Sequence, residues 1–390
     1  MKILIGADSY APDINGAAHF TEQLARGLAQ RGHEVHVVCA SDDGVPRVEI
    51  VEGVIVHRLA SVRYRRHDSL RICLPWQAIP ATRDLVEHLR PDLVHVQSHM
   101  VIGRGVAYAA KRLGRPLVAT NHFMPENVFG YVPLLPRALH RQAAVLAWRD
   151  LGAVFGRADR ITAPTPRAVR LLTESTGLAG EAVSCGIDAG RFWQATCAAE
   201  PSDQPRILFV GRLDQEKRVD ELITAFARLP VSTGAVLEII GDGDQRDHLQ
   251  RLAATLEVQD RVIFAGHVDD DQLLAAYGRA SIFCMPGVAE LQSIVTLEAM
   301  AAGKPVVAAD AMALPHLVKP GRNGWLFSPG DIGELTLRLS TLVADPQLRQ
   351  RMGQHSREIV AQHDFDRTLD RFESIYQSVT RAPVHLQAVA

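Results

Sequence analysis

The stretch AELQSIVTLEAMAAGKPVVAAD, residues 289–310, carries two acids, Glu290 and Glu298, eight positions apart. Apolar residues Ile294, Val295 and Leu297 lie between them, at the start of an apolar helical run. A charge in such a place is costly unless something polar meets it. The run ends in KPVVAAD, a short continuous apolar segment that reads as a buried strand, and ASIFCMP (280–286) before it reads the same way. Pro286 and Gly287 close that first strand and place Glu290 in the following loop. Strand, loop, helix and strand in this order are one unit of a parallel sheet with a right-handed crossover.

The same alternation extends outward in both directions. Upstream of the quoted stretch lie RILFVGR (206–212), AVLEIIGDG (235–243) and RVIFAGHV (261–268), and downstream lies GWLFSPG (324–330). A separate series begins at the N-terminus with KILIGAD, EVHVVCA, VIVHRL, DLVHVQS, PLVATNH and RITAPT. Between the two series, ATCAAEPSDQP (195–205) turns small, polar and Pro-containing, the composition of a linker. The expected fold is therefore α/β, with two doubly wound, Rossmann-like parallel-sheet domains, 1–195 and 196–363, facing a cleft. An amphipathic C-terminal helix, 364–382, is expected to pack back on the first. Ligands of such sheets bind at the carboxyl ends of the strands.

Bulk properties exclude several classes. The chain has 390 residues and a net charge of -2, which gives no electrostatic footprint for nucleic acid. Five scattered cysteines, without a C-x-x-C or a metal-ligand spacing, read as free thiols in a reducing cytosol. The N-terminal apolar run is too short for a signal peptide, and no stretch reaches the roughly 20 apolar residues of a membrane span. The expectation is a cytoplasmic protein, either fully soluble or docked on the inner face of the plasma membrane.

Four segments carry candidate chemistry. In PDINGAA, Gly16 stands between a strand and a helix, where a backbone approaches a ligand closely and the helix terminus favours an anion. In GRLDQEKR, Arg212 and Lys217 lie just past a strand, placed to clamp a diphosphate. Around Glu290, helix amides from about Gln292 onward, through Ser293, Ile294 and Val295, point at an anion. Carboxylates pair well with vicinal hydroxyls, so Glu290 is assigned to a transferred sugar and Glu298 to ribose. In TNHFMPEN, His122 follows a first-domain strand, with its neutral imidazole or its carbonyl facing the reacting carbon.

Together these segments resemble GT-B fold retaining glycosyltransferases of family 4. The resemblance is carried by E-x7-E as ELQSIVTLE, the G-R-x(4)-K loop as GRLDQEK, the turn PDINGAA, and the histidine of TNH. Within that family the chain is similar to phosphatidylinositol mannosyltransferases and to sulfoquinovosyl and other glycolipid transferases. The resemblance implies a metal-independent hexosyltransferase that needs no cofactor and uses a UDP- or GDP-sugar as co-substrate. It implies that Arg212, Lys217 and Gly16 meet the diphosphate, that Glu290 and Glu298 hold sugar and ribose, and that His122 lies beside the sugar. Backbone around Gly266 and Val268, with Gly241, is implied against the base. The chain departs from the family at Ala17, often a second glycine, at the LQS after Glu290, often glycine-rich, and at DAMALPH, which ends in His316 where many members have GGxPE.

The acceptor is expected to be a lipid or a small polyol or sugar. Arg63, Arg65, Arg66, His67 and Arg71 around Tyr64, and the apolar run 128–148 with Arg137, His140 and Arg141, suggest docking on an anionic membrane. A solvated loop and an amphipathic core helix are the alternative. Two other functions compete: a non-catalytic nucleotide-sugar-binding protein, and a GT-B sugar-nucleotide epimerase. A nicotinamide-binding dehydrogenase is disfavoured, because GDGDQR lacks the third glycine of its fingerprint.

Overall fold

The computed structural model describes residues 1–13, 15–64, 71–125, 136–200 and 204–381. By internal contacts the chain divides into two units: Met1–Ser184 with Asp366–Ala390, and Cys185–Phe365.

Among the described residues the first unit holds an eight-stranded sheet. Its spatial order is Glu181–Ala182, Arg160–Ala163, Leu117–Thr120, Leu93–Val96, Lys2–Gly6, Glu34–Ala40, Val54–Leu59 and Arg47–Val51. All neighbours run parallel except the Arg47–Val51 edge, which pairs antiparallel. Helices cover both faces, so the central strands are mostly apolar on both sides rather than alternating, and Ile3, Leu4 and Ile5 are fully buried. The helix Gly16–Gln30 turns Phe20, Leu24 and Leu28 into this core, and the Asn15 side chain caps it by accepting from the Ala18 amide at 2.9 Å. Chain order reverses where Lys2–Gly6 lies between Glu34–Ala40 and Leu93–Val96. The crevice at such a reversal is where doubly wound sheets bind ligands.

The second unit has a six-stranded parallel sheet ordered Val262–Gly266, Val236–Ile240, Arg206–Val210, Ile282–Met285, Val306–Ala309 and Gly324–Phe327. Its reversal lies between Arg206–Val210 and Ile282–Met285. The first of these two strands runs at its carboxyl end into GRLDQEKR, and the other feeds the loop of Glu290.

The expected linker is different in the structure. Residues 195–198 finish a helix, Ala189–Ala198, that belongs to the second unit. Their small side chains allow close packing instead of flexibility. A Cβ at Gly278 would lie 2.8 Å from the Ala195 carbonyl, and Thr196 donates to the Ala302 carbonyl at 3.0 Å. The chain thus crosses between the units at 184–185, ahead of this helix.

The C-terminal helix Phe365–Arg381 is strongly amphipathic and packs on the first unit. Phe372 and Tyr376 are fully buried there. Arg31 reaches over to Asp366, Asp370 and Glu373 at 3.0, 2.6 and 2.8 Å.

Candidate active site

At the reversal of the second sheet, two loops meet. The loop after Arg206–Val210 carries Arg212 and Lys217, and the loop after Ile282–Met285 carries Glu290. The loops are joined by the Val288 amide donating to the Glu216 carbonyl at 3.0 Å. Across this junction Lys217 Nζ and Glu290 Oε1 form an ion pair at 2.5 Å. Arg212 pairs with Asp214 at 2.5 Å and with Glu216 at 3.2 Å. Burial raises the Glu216 carboxyl, and Asp214 beside it adds to the rise. Gly287 leaves room for the ion pair, because a Cβ there would stand 3.3 Å from Glu290 Oε1 and 3.4 Å from the Lys217 chain. The sequence therefore meets Glu290 with Lys217, and it provides carboxylates for Arg212 that motif reading had left out.

The helix begins at Ile294, later than the expected start near Gln292, and runs to Ala301 with Ser293 as its cap. Its first amides have no intrahelical partner, so they present positive ends beside Glu290. The side chains of Gln292 and Ser293, expected to touch the donor, are used within the unit. Gln292 Oε1 accepts from the Cys185 amide at 2.7 Å, and Ser293 Oγ accepts from Thr296 at 2.8 Å. Glu298 lies inside the helix, one turn past the terminus, and is buried. The Tyr277 hydroxyl donates to its Oε2 at 2.6 Å. Burial pushes the Glu298 pKa up to about 7, although the Tyr277 hydrogen bond acts the other way. Tyr277, in the helix Asp270–Arg279, carries no sequence signal apart from its apolar spacing.

The DAMALPH departure borders the same place. The Ala313 amide donates to the Glu290 carbonyl at 3.1 Å. Met312 adopts φ +49°, a left-handed conformation that glycine takes without penalty and that side chains resist. His316 stacks edge-on against His363, with ring centroids 5.8 Å apart.

Gly241 follows the strand Val236–Ile240 with φ +127°, and a side chain there would collide with the Gly211 carbonyl. Its amide donates to the Gly266 carbonyl at 2.8 Å, which draws three strand ends together. Val268, two residues past Gly266, is partly buried against the core.

In the first unit Gly16 is exposed at the first turn of its helix. The turn ahead of it is fixed by Asn15 donating to Ser9 Oγ at 2.6 Å and by Ser9 donating to Asp13 at 2.9 Å. His122 lies two residues past Leu117–Thr120, at the carboxyl edge, half-buried against the Phe20 ring at 5.2 Å. Its Nε2 bonds Gln97 Oε1 at 2.9 Å, and burial pushes its pKa down to about 4, which leaves a neutral imidazole.

Of the basic segment, Arg65, Arg66 and His67 lie outside the described residues, as do the 128–135 part of the apolar run and the Arg137 side chain. Arg71 is turned inward and donates to Ser61 Oγ at 2.9 Å and to its carbonyl at 3.2 Å. It is therefore a structural guanidinium rather than a surface charge. The helix His140–Phe155 buries Trp148, Leu151, Val154 and Phe155, but Leu139, Val145 and Leu146 are exposed at its N-terminal end. Trp76, at the N-terminal end of the helix Pro75–Leu89, is 70% exposed. Among the described residues no helix is long and apolar enough to cross a membrane, and no group of three or more His, Cys, Asp or Glu is placed to hold a metal ion.

Two doubly wound sheets, one with a basic and acidic loop pair at a helix terminus, define a sugar-nucleotide enzyme of the GT-B class. Comparison with known proteins agrees. Residues 197–359 match the model for glycosyl transferases group 1, and residues 14–191 match that for glycosyltransferase family 4. A GDP-mannose-dependent alpha-mannosyltransferase of Mycolicibacterium smegmatis is 30% identical over 388 residues, 97% of this chain and 98% of that protein. Sulfoquinovosyl transferase SQD2 of Arabidopsis thaliana is 28% identical over 364 residues, 90% of this chain and 68% of that one. The fold is that of sucrose-phosphate synthase from Thermosynechococcus elongatus, with TM-score 0.80 at 22% identity, covering 98% of this chain and 100% of that chain. Anabaena HepE, solved with UDP and glucose, has TM-score 0.73 at 20% identity, covering 97% and 100%. The chain belongs to glycosyltransferase family 4 and is a glycosyltransferase.

Proposed function

We propose that this chain moves a hexose from a UDP- or GDP-sugar to a lipid or small polyol acceptor, with retention at the anomeric carbon. The observation that carries this reading is the Lys217–Glu290 pair at the reversal of the second sheet, beside Arg212 and a helix N-terminus. Each of the two cations is paired with a carboxylate, Arg212 with Asp214 and Lys217 with Glu290. A diphosphate takes over Lys217 and Arg212, with Gly16 and the amides of Ile294 and Val295 adding donors. Glu290, released from Lys217, turns to the sugar hydroxyls. Glu298 takes the ribose hydroxyls, the backbone of Gly241, Gly266 and Val268 borders the base, and His122 contacts the transferred sugar.

Among the described residues no carboxylate is read as a covalent nucleophile, because Glu290 already serves as a hydroxyl and lysine partner. Attack therefore runs on the face the diphosphate leaves, and the leaving phosphate takes the acceptor's proton. Arg212, Lys217 and the helix amides meet the charge that develops there without calling on a metal. Loss of one such donor costs about 10²–10³ in rate.

The acceptor reading rests on the carboxyl edge of the first sheet. Helices antiparallel to the strands place their N-termini at that edge. Exposed Trp76 and Leu139 lie at two such termini, the latter near Arg141, and exposed Val145 and Leu146 lie further along the same helix as Arg141. An amphiphile at an anionic bilayer fits this mixture of apolar and basic groups. A relative named alpha-monoglucosyldiacylglycerol synthase, from Streptococcus pneumoniae, is in keeping with it.

A panel of UDP-, GDP- and ADP-sugars, each with and without candidate acceptors, tests the reading by nucleotide release. Acceptor-dependent release from a UDP- or GDP-sugar is expected. Binding of the donors without release under any acceptor would leave a nucleotide-sugar-binding protein instead.

A further inference from the structure

His122 is held by a chain of buried polar groups that begins on the C-terminal helix. Tyr376 OH lies 2.7 Å from His95 Nδ1, and His95 Nε2 lies 2.6 Å from Thr120 Oγ1, which in turn lies 2.7 Å from Thr162 Oγ1. His95, Thr120, Gln97 and Tyr376 are all buried. The amide nitrogen of Gln97 lies 3.4 Å from His95 Nδ1 and 3.3 Å from its Nε2, nearly equidistant from both. Such a position places the NH2 over the ring rather than at either nitrogen, and an amide N–H on an aromatic face is attractive where a carbonyl oxygen is repelled. The carboxamide is thereby oriented. Its NH2 must face His95, and its Oε1 must face His122.

Oε1 can only accept. It accepts from His122 Nε2 at 2.9 Å, so that nitrogen carries the proton. In a neutral imidazole the other nitrogen, Nδ1, is then an acceptor. We propose that Gln97, oriented by His95 and Tyr376, is a positioning residue that fixes His122 as the tautomer with Nδ1 unprotonated, ready to accept a hydrogen bond from a hydroxyl of the transferred sugar. This inference rests on the reading of His122 as the sugar-facing group. It makes Gln97 part of the site although Gln97 itself does not touch substrate. It also gives the C-terminal helix, far along the sequence, a place behind the reacting centre. Burial holds His95 and His122 neutral, with pKa values pushed down to about 3 and about 4, so the tautomers, not their charges, are the states that matter near neutral pH.

Two measurements on the full chain test this. The ¹⁵N shifts of His122 report its tautomer without any turnover: the wild type is expected to show a pyridine-type Nδ1 and a pyrrole-type Nε2. Gln97→Leu, close in volume, should mix the tautomers. It should also lower kcat by roughly 10²-fold, the scale of a misplaced reacting group, while nucleotide affinity stays unchanged. Tyr376→Phe should act in the same direction as Gln97→Leu with a smaller loss, and it serves as the second probe if Gln97→Leu does not fold. A wild-type His122 protonated on Nδ1 would overturn the proposal, as would a folded Gln97→Leu with unchanged shifts and unchanged kcat. If the wild type shows the expected tautomer but transfers no sugar with any donor, the assignment of Gln97 stands and the functional reading of the site falls.

Discussion

Glu290 and Glu298 look alike in sequence but occupy different electrostatic environments. Glu290 lies in a loop, with an ammonium 2.5 Å away. Glu298 lies in a helix and accepts from the Tyr277 hydroxyl, and its pKa is pushed up to about 7 by burial. A carboxyl raised in the folded state holds its proton more tightly there than in the unfolded chain, so its contribution to stability falls as pH rises from its ordinary range through about 7. Nucleotide binding has the opposite sign. Ribose hydroxyls donate to the ionised carboxylate, so affinity should rise as pH approaches 7 from below and level off above it. Diphosphate ionisation contributes to any such profile, and the comparison with Glu298→Gln removes it. Calorimetric titration with the nucleoside diphosphate between pH 5.5 and 8 should show a steeper rise for the wild type than for the variant. Parallel profiles would show that Glu298 does not meet the nucleotide.

At the scale of elements, most of the sheet was legible because each core strand is buried on both faces and therefore reads as an unbroken apolar run, as in Ile207–Phe209 and Ile282–Met285. The edge Arg47–Val51 gave no such signal, since Val48 and Ile50 face solvent. Residues 195–198, the start of the expected linker 195–205, end the helix Ala189–Ala198 instead, because tight helix packing and flexible linkers both favour small residues. The motif glycines and charges were legible one by one. Their partners were not: Tyr277 and Gln97 belong to no motif and are brought in by tertiary folding, and Asp214 stands at an unspecified position of GRLDQEK. Gln292 illustrates the point: its side chain ties the Glu290 loop to the Cys185 amide instead of facing a ligand. Gln292→Leu leaves that buried amide without an acceptor, at a cost of about 1–3 kcal/mol. Thermal unfolding should show the loss, and donor affinity should fall less than it does in Lys217→Ala. An unchanged midpoint would mean that the loop is held elsewhere.

For the whole molecule, the C-terminal helix is as much a part of the first unit as its own sheet. Phe372 and Tyr376 are fully buried on it, and Arg31 binds three of its acids. A chain ending at residue 364 should therefore expose a continuous apolar face and lose cooperative unfolding of the first unit, while the second unit still binds nucleotide. Retention of both transitions in calorimetry would contradict this division. The exposed apolar residues at the carboxyl edge belong to the same scale. Trp76→Ser with Leu146→Ser should lower flotation with anionic liposomes and leave nucleotide affinity intact, because the nucleotide groups lie in the other unit. Wild-type protein that ignores anionic liposomes at low salt would point to a soluble acceptor.

In the proposed reaction Lys217, which pairs with Glu290, stabilises the leaving diphosphate. Turnover of Lys217→Ala with saturating donor, beside circular dichroism of the same sample, tests it most directly. The account predicts a folded protein whose kcat is lower by about 10²–10³; near-wild-type kcat in a folded Lys217→Ala would contradict it.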